Sequence, residues 1–154
     1  MARVAQRFRD ARSILYLGRH LLYPLALEGA LKLKESACIH AEGCSAAELK
    51  HGPLALIDLH VPSVFLLPRG PLFSKVISVL EEVRRKGGPV LAVVSETDRE
   101  AVQADEVLTI PDVPDYLQPL VMAVPLQLFA YHLGLLRGCD VDQPRHLTKT
   151  VTAE

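Results

Sequence analysis

The chain has 154 residues, 49% hydrophobic and 23% charged, which is enough to bury the core of one domain. With 17 Lys and Arg against 18 Asp and Glu, the formal net charge is −1, which argues against a nucleic-acid-binding or anionic-membrane surface. Cys38, Cys44 and Cys139 are odd in number and lack the spacing of a metal site. They favour free thiols in a reducing cytosol, so we expect a cytoplasmic protein without metal or cofactor.

The N-terminal region predicts a short charged helix over residues 2–11, so residues 1–12 are expected to form a linker or an N-terminal helix. Met1 leads into this charged run and not into the apolar core of a signal peptide. We also expect no apolar stretch to reach the roughly 20 residues of a membrane span, and therefore no membrane partner.

Apolar runs alternate with helical patterns along the rest of the chain. Short apolar runs are typical of buried parallel strands, and the run over 90–94 is expected to be central because it is wholly apolar. A loop is predicted over 42–47, and a fifth strand could lie in a segment assigned as loop. The predicted strands are 13–17, 62–68, 90–94 and 106–110, and the predicted helices include 73–85, 98–104 (a short helix or turn), 117–138 and a short one within 46–56.

This alternation predicts an α/β fold with a mainly parallel sheet of four or five strands and right-handed crossovers. Ligands of such sheets bind beyond the carboxyl ends of the strands. The turn Gly18-Arg19-His20 follows the first strand and is therefore a candidate site, although an ordinary loop fits it equally well. The helix over 117–138 is apolar on most sides, which favours burial partly in the core and partly against a second copy of the chain.

One predicted helix carries a compact group of charged side chains. At about 100° per residue, Glu28, Lys32 and Glu35 fall within about one sixth of a turn. They are either a solvated face with two ion pairs, or a base, Glu35, with a lysine beside it that holds charge. Periodicity does not choose between these readings. It assigns a set of apolar residues, interrupted by Lys34, to the other side: Ala26, Leu27, Ala30, Leu31, Leu33, Ala37 and Cys38.

Three segments, 27–35, 48–58 and 140–154, carry a family resemblance. The first resembles the signature helix of the sugar isomerase (SIS) domain. The other two, one containing Glu-Leu-Lys-His-Gly-Pro and one Asp-Gln-Pro-Arg, resemble segments of glutamine-dependent, isomerising glucosamine-fructose-6-phosphate aminotransferase. The resemblance covers nearly the whole chain but only the last part of the family's polypeptide. It implies a three-layer αβα SIS domain over 13–138 and a C-terminal tail, 139–154, that folds over the active site.

The resemblance also implies roles in converting fructose-6-phosphate to glucosamine-6-phosphate. His51 would assist ring opening across a dimer interface, where an imidazole with a pKa near neutrality suits the step. Lys149 would form a Schiff base at the C2 carbonyl. Glu35 would move the proton between C1 and C2, Lys32 would stabilise the developing charge, and Glu28 would orient the group.

Two parts of the family's machinery are not found in this sequence. Met1 is followed by Ala2 and not by the cysteine that begins the glutamine-hydrolysing domain, and no Ser/Thr-rich phosphate cradle occurs. We therefore expect a catalytic half that works as a homodimer with a first SIS half and a glutaminase domain. The alternatives are a stand-alone SIS module that binds a phosphosugar without turnover, and a related phosphosugar deglycase or isomerase.

Overall fold

A sheet of five parallel strands forms the centre of the computed structural model, which describes residues 1–147. The strands are β1 (Ser13–Gly18), β2 (His40–Ser45), β3 (Ser63–Leu66), β4 (Val90–Ser95) and β5 (Glu106–Ile110). They lie side by side in the order β2-β1-β3-β4-β5. The α/β fold and the four predicted strands are confirmed, with ends that differ by no more than one or two residues.

The fifth strand, β2, lies at one edge of the sheet. The predicted loop over 42–47 is therefore wrong as far as Ser45. An edge strand such as β2 pairs on one side only and alternates buried with exposed residues, so it lacks the continuous apolar run that marks an interior strand. The run 90–94, predicted to be central, forms the interior strand β4, but the middle of the sheet is β3.

Over residues 1–147, four α-helices surround the sheet: α1 (Ala2–Arg7), α2 (Leu22–Ala37), α3 (Phe73–Arg85) and α4 (Gln118–Leu136). The bounds of α3 equal those predicted, because Gly87 stops the helix in a left-handed conformation at φ 85°. The segment over 46–56 forms two short 3₁₀ helices, Leu49–His51 and Pro53–Leu56. Further 3₁₀ turns lie at Gly70–Leu72, Glu96–Ala101 and Asp115–Leu117.

The helices form two layers, one on each face of the sheet. Helices α1, α2 and α4 share a core with one face, in which Tyr16, Leu33 and Phe129 are fully buried. Helix α3 and the turn over Leu49–His51 share a second core with the opposite face. The three-layer αβα arrangement therefore places α2 and the Leu49–His51 turn on opposite sides of the sheet.

Helix α1 is fastened to the domain at two places. Phe8, just after the helix, packs edge-to-face on Phe129 of α4 with ring centroids 5.7 Å apart. Arg3 donates two hydrogen bonds to the Glu106 carboxylate of β5, at 3.0 and 2.9 Å. These contacts hold the N-terminal segment against the same layer as α2 and α4.

Helix α4 is both long and apolar. With the turn before it, Asp115–Leu136 is long and apolar enough to cross a membrane by length and composition, with a mean hydropathy of 1.5. The expectation that no stretch reaches that length is wrong. One face of α4 packs on α1 and α2 through Met122, Leu126 and Phe129. The exposed face carries a set of apolar side chains that we call the α4 stripe: Leu120, Val124, Leu128, Tyr131 and Leu135.

Candidate active site

The charged group predicted on α2 is formed in the structure. The Lys32 ammonium donates a hydrogen bond to Glu35 Oε2 at 2.7 Å, and its Nζ lies 3.7 Å from Glu28 Oε1. All three side chains are partly exposed, with Lys32 and Glu35 the less exposed at 33% and 27%. The cation therefore sits between two carboxylates on one strip of the helix. We call Glu28, Lys32 and Glu35 the α2 cluster.

The pKa of Lys32 lies above its ordinary value. The hydrogen bond to Glu35 is the main cause, burial opposes it in part, and the charges of Glu35 and Glu28 raise the pKa further. Lys32 is therefore a permanent cation at neutral pH. It can stabilise negative charge, but it does not serve as a base.

The surroundings of the α2 cluster differ from the sequence prediction. Leu27 and Leu31, which periodicity placed on the buried side, are 45% and 41% exposed, and Cys38 is exposed as well. Lys34 is exposed on the same side, so it interrupts no buried surface. The buried side runs instead through Leu22, Leu25, Ala26, Gly29, Ala30, Leu33 and Ala37. The cluster thus lies beside exposed leucines, on a face that a second polypeptide could cover and dehydrate.

His51 lies far from this cluster. It ends the 3₁₀ turn Leu49–His51 on the α3 side of the sheet and is exposed. Its neighbour Lys50 forms an ion pair of 2.7 Å with Glu82 of α3 and thereby lowers the pKa of Glu82. This pair fixes the turn to α3.

The α2 cluster and His51 also lie toward opposite ends of the sheet. Glu35 lies 13 residues beyond the start of α2 at Leu22, a distance of about 20 Å at the rise of an α-helix. Since α2 begins at the carboxyl end of β1 and returns antiparallel to it, Glu35 lies toward the amino ends of the strands. His51 follows the carboxyl end of β2. The fold of one chain therefore brings Glu28, Lys32 and Glu35 together but not His51, while Lys149 lies outside the described residues.

A crevice opens at the carboxyl ends of β1 and β3. From β1 the chain crosses to β2 on one side, and from β3 it crosses to β4 on the other, so the crevice is the topological switch point at which ligands of such sheets bind. It is a cavity of about 180 Å³. Its polar lining includes Arg19 and His20, the turn considered as a candidate site, together with Arg69, Asp115 and Gln118.

Three lining residues of the crevice were not predicted from the sequence: Arg69, Asp115 and Gln118. The buried amide of Gln118 accepts a hydrogen bond from the Arg69 backbone N–H at 3.2 Å and donates one to Ser95 Oγ at 3.2 Å. It thereby joins the loop after β3 to the end of β4. Arg69 could have been found from its place after a predicted strand, and Gln118 from being a polar residue at the start of an apolar helix. Within residues 1–147 no group of three or more metal-ligating side chains converges.

Comparison with known proteins identifies the family of the chain. The SIS domain family matches residues 7–137. A glutamine–fructose-6-phosphate aminotransferase (isomerizing) of Thermus thermophilus is 52% identical over the whole chain, which spans 26% of that relative. A protein of the same name from Sphingobium yanoikuyae is 50% identical over 98% of both chains.

Solved structures of similar proteins superpose on this chain. The C-terminal domain of glucosamine-fructose-6-phosphate aminotransferase from Francisella tularensis superposes with a TM-score of 0.88 at 43% identity, over 92% of this chain and 40% of that one. A glucosamine-6-phosphate deaminase from Thermotoga maritima superposes with a TM-score of 0.79 at 26% identity, over 97% of this chain and 44% of that one. The chain spans about a quarter of the length of most of the curated relatives it matches. It belongs to the SIS domain family and corresponds to the C-terminal SIS half of the glutamine–fructose-6-phosphate aminotransferases.

Proposed function

We propose that this chain is the isomerase half of a glutamine-dependent aminotransferase that converts fructose-6-phosphate to glucosamine-6-phosphate, and that it is incomplete alone. The observation that carries the proposal is the α2 cluster, an acid–base group on an uncovered helix face. The identity of the whole chain to these relatives supports the same reaction. The first SIS half and a glutaminase domain would be its partners, in the cytoplasm.

The α2 cluster suits the isomerisation step. Moving a proton between C1 and C2 of the sugar requires a carboxylate that reaches both carbons, and Glu35 is the less exposed of the two carboxylates. Lys32 stays charged, so it stabilises the enolamine that develops when the proton has left C1. Glu28 holds Lys32 from its other side.

The remaining steps need residues from outside this cluster. His51 would open the sugar ring as a general acid–base group. Lys149 would activate the C2 carbonyl as an imine, which ammonia from glutamine then displaces. The substrate phosphate would be held by the first SIS half.

The placement of His51 supports a homodimer. Glu35 and His51 of one chain lie on opposite faces and toward opposite ends of the sheet, so they can serve one site only if they come from different copies. The α4 stripe offers an apolar surface for association, but it lies on the layer opposite His51, so the contact that brings the partner's His51 to Glu35 is a separate one. We therefore propose that each His51 completes the site of a partner copy.

The crevice between β1 and β3 favours a second candidate function, a stand-alone module that binds a phosphosugar without turnover. Arg19 and Arg69 can offer positive charge to a phosphate there, and the lining carries one carboxylate, that of Asp115. Arg69 is partly engaged, because its guanidinium lies 3.8 Å from Asp98 and 3.5 Å from Asp112. This engagement lowers the affinity expected for a phosphate.

A titration of the chain alone with fructose-6-phosphate and glucosamine-6-phosphate, followed by NMR or calorimetry, separates the two functions. The aminotransferase half predicts no binding, because its phosphate cradle lies on another polypeptide half. Binding that is lost in Arg19→Ala and kept in Arg12→Ala, an exposed arginine at the amino end of β1, would instead establish the stand-alone module.

A further inference from the structure

Two cysteines from distant parts of the chain meet where α2 and α4 end. Cys38 ends α2 in a left-handed backbone conformation, at φ 52°. Cys139 follows α4 by way of Gly138, which is also left-handed, at φ 71°. Both cysteines line one shallow depression on the surface. The depression lies apart from the α2 cluster's charged strip and from the crevice between β1 and β3.

The backbones that carry the two cysteines are held together closely. Gly134 of α4 lies against the end of α2, since a Cβ added to it would be 2.4 Å from the carbonyl oxygen of Ser36. Arg137 donates from Nε to the carbonyl oxygen of Ala37 at 3.1 Å, next to Cys38. The Cys139 backbone N–H donates a hydrogen bond to the carbonyl oxygen of Gly134 at 3.0 Å. These contacts hold together the two stretches of backbone that carry the thiols, before any bond joins the sulfurs.

The three thiols of the chain have different surroundings. Cys38 is exposed, and Cys139 is half-buried. Burial raises the pKa of Cys139, and the neighbouring Cys38 thiol raises it further. Cys44 is buried on the other face of the sheet, where burial and Glu42 raise its pKa to about 11. Only Cys38 and Cys139 are therefore both accessible and adjacent.

We propose that Cys38 and Cys139 are a redox modification site, which forms a reversible disulfide with a low-molecular-weight disulfide as oxidant. The exposed Cys38 thiolate, having lost its proton to solvent, attacks one sulfur of the oxidant and displaces the first small thiolate. Cys139, deprotonated in turn, attacks the Cys38 sulfur and displaces the second. The protein loses two protons and two electrons, and one small disulfide is reduced to two small thiols.

The disulfide would fasten the start of the C-terminal segment to the end of the helix that carries Glu35. Residues 140–147 leave directly from Cys139, so the bond fixes the point at which this segment departs from the domain. It would also close a long loop between the last turns of two packed helices, which restricts the unfolded chain. We expect the oxidised protein to unfold at a higher temperature than the reduced one. This inference does not depend on the proposed aminotransferase activity.

Mass spectrometry of the 154-residue chain, equilibrated with oxidised and reduced glutathione at mildly alkaline pH, tests the site. Trypsin releases Cys139 in Gly138–Arg145 and Cys38 in Glu35–Lys50, a peptide that also contains Cys44. The Cys44→Ser variant removes that ambiguity and is the matched control. We expect it to lose the mass of two hydrogens and to give Glu35–Lys50 linked to Gly138–Arg145, and dithiothreitol should reverse both changes.

Replacing either Cys38 or Cys139 should prevent the link. Cys38→Ser and Cys139→Ser should each lack the linked peptide and the rise in Tm on oxidation, and Cys139→Ser should accumulate a glutathione adduct on Cys38. The proposal is overturned if Cys44→Ser takes up glutathione on both remaining cysteines without linking them. It is also overturned if the unmodified chain links Cys44 in preference to Cys38.

Discussion

At the scale of single residues, the contact between Lys32 and Glu35 distinguishes the two carboxylates of the α2 cluster. Glu35 accepts the short hydrogen bond at 2.7 Å, whereas Glu28 lies 3.7 Å from the same ammonium. Glu35 is also the less exposed carboxylate. These differences favour Glu35 as the proton carrier and Glu28 as the group that holds Lys32 in place.

Replacing Glu35 by Gln tests this assignment. The amide keeps the shape of the side chain but cannot take up a proton, so we expect isomerisation in the complete enzyme to fall by about 10²–10⁴-fold. The fold and phosphosugar binding should stay intact, as measured by circular dichroism and a binding titration. Glu81→Gln, at an exposed position of α3, is the matched control and should retain full turnover. Near-normal turnover of Glu35→Gln would exclude Glu35 as the base.

Lys32 gives a second prediction, on pH dependence. Its pKa is raised in the folded chain, chiefly by the hydrogen bond to Glu35. The resulting stabilisation is complete below the unfolded value of roughly 10.4 and is lost as pH rises through the folded pKa. NMR titration should find the pKa of Lys32 above that value, and Glu35→Gln should lower it. An unchanged pKa in the variant would mean that the pair does not form in solution.

The prediction of which side of α2 is buried was wrong in part. Leu27 and Leu31 are apolar and follow helical spacing, so periodicity assigned them to the core. Their exposure depends on where β2 and α4 lie around the helix, and these contacts come from residues distant in the sequence. The α2 cluster itself was predictable, because residues at i, i+4 and i+7 share one helix face whatever the tertiary structure.

At the scale of elements, the contact between α2 and the edge strand β2 positions the cluster. Gly43 of β2 faces α2 so closely that an added Cβ would lie 2.7 Å from the Leu27 Cα and 2.8 Å from the Leu27 N. Both are backbone atoms, so no side chain can rotate away to make room. The register of β2 against β1 therefore determines where the exposed face of α2 points.

Gly43→Ala should push α2 away from β2. We expect it to lower the free energy of unfolding by about 1–3 kcal/mol, the usual effect of overpacking. Chemical denaturation followed by circular dichroism measures the change. Ala47→Ser also adds one heavy atom, at an exposed position beyond β2, and should be nearly neutral. Equal stability of the two variants would show that α2 and β2 are less closely packed than described.

At the scale of the whole molecule, the separation of Glu35 from His51 means that one chain alone would not complete the proposed site. Both residues belong to recognisable motifs, yet they lie on opposite faces of the sheet. The α4 stripe and the exposed leucines of α2 lie on the layer opposite His51. We therefore expect association between chains to be part of the function.

Self-association is the corresponding prediction. The unmodified chain should sediment as a dimer at tens of micromolar. Leu128→Glu in the α4 stripe should weaken self-association, because it would bury an unpaired charge where the stripe is covered. Leu59→Glu changes an exposed leucine outside that stripe and should leave the dimer intact. A monomeric unmodified chain would contradict the proposed homodimer.

The sequence by itself determined the fold class, four of the five strands, the bounds of α3 and the α2 cluster. Each of these depends on local periodicity or on residues within a few positions of one another. Only the tertiary structure decided which face of α2 is exposed, that His40–Ser45 is an edge strand, and that Arg69 and Gln118 line the crevice with Arg19. It alone also brought Cys38 beside Cys139 and separated Glu35 from His51. These features arise from contacts between residues far apart in the chain, which no local pattern encodes.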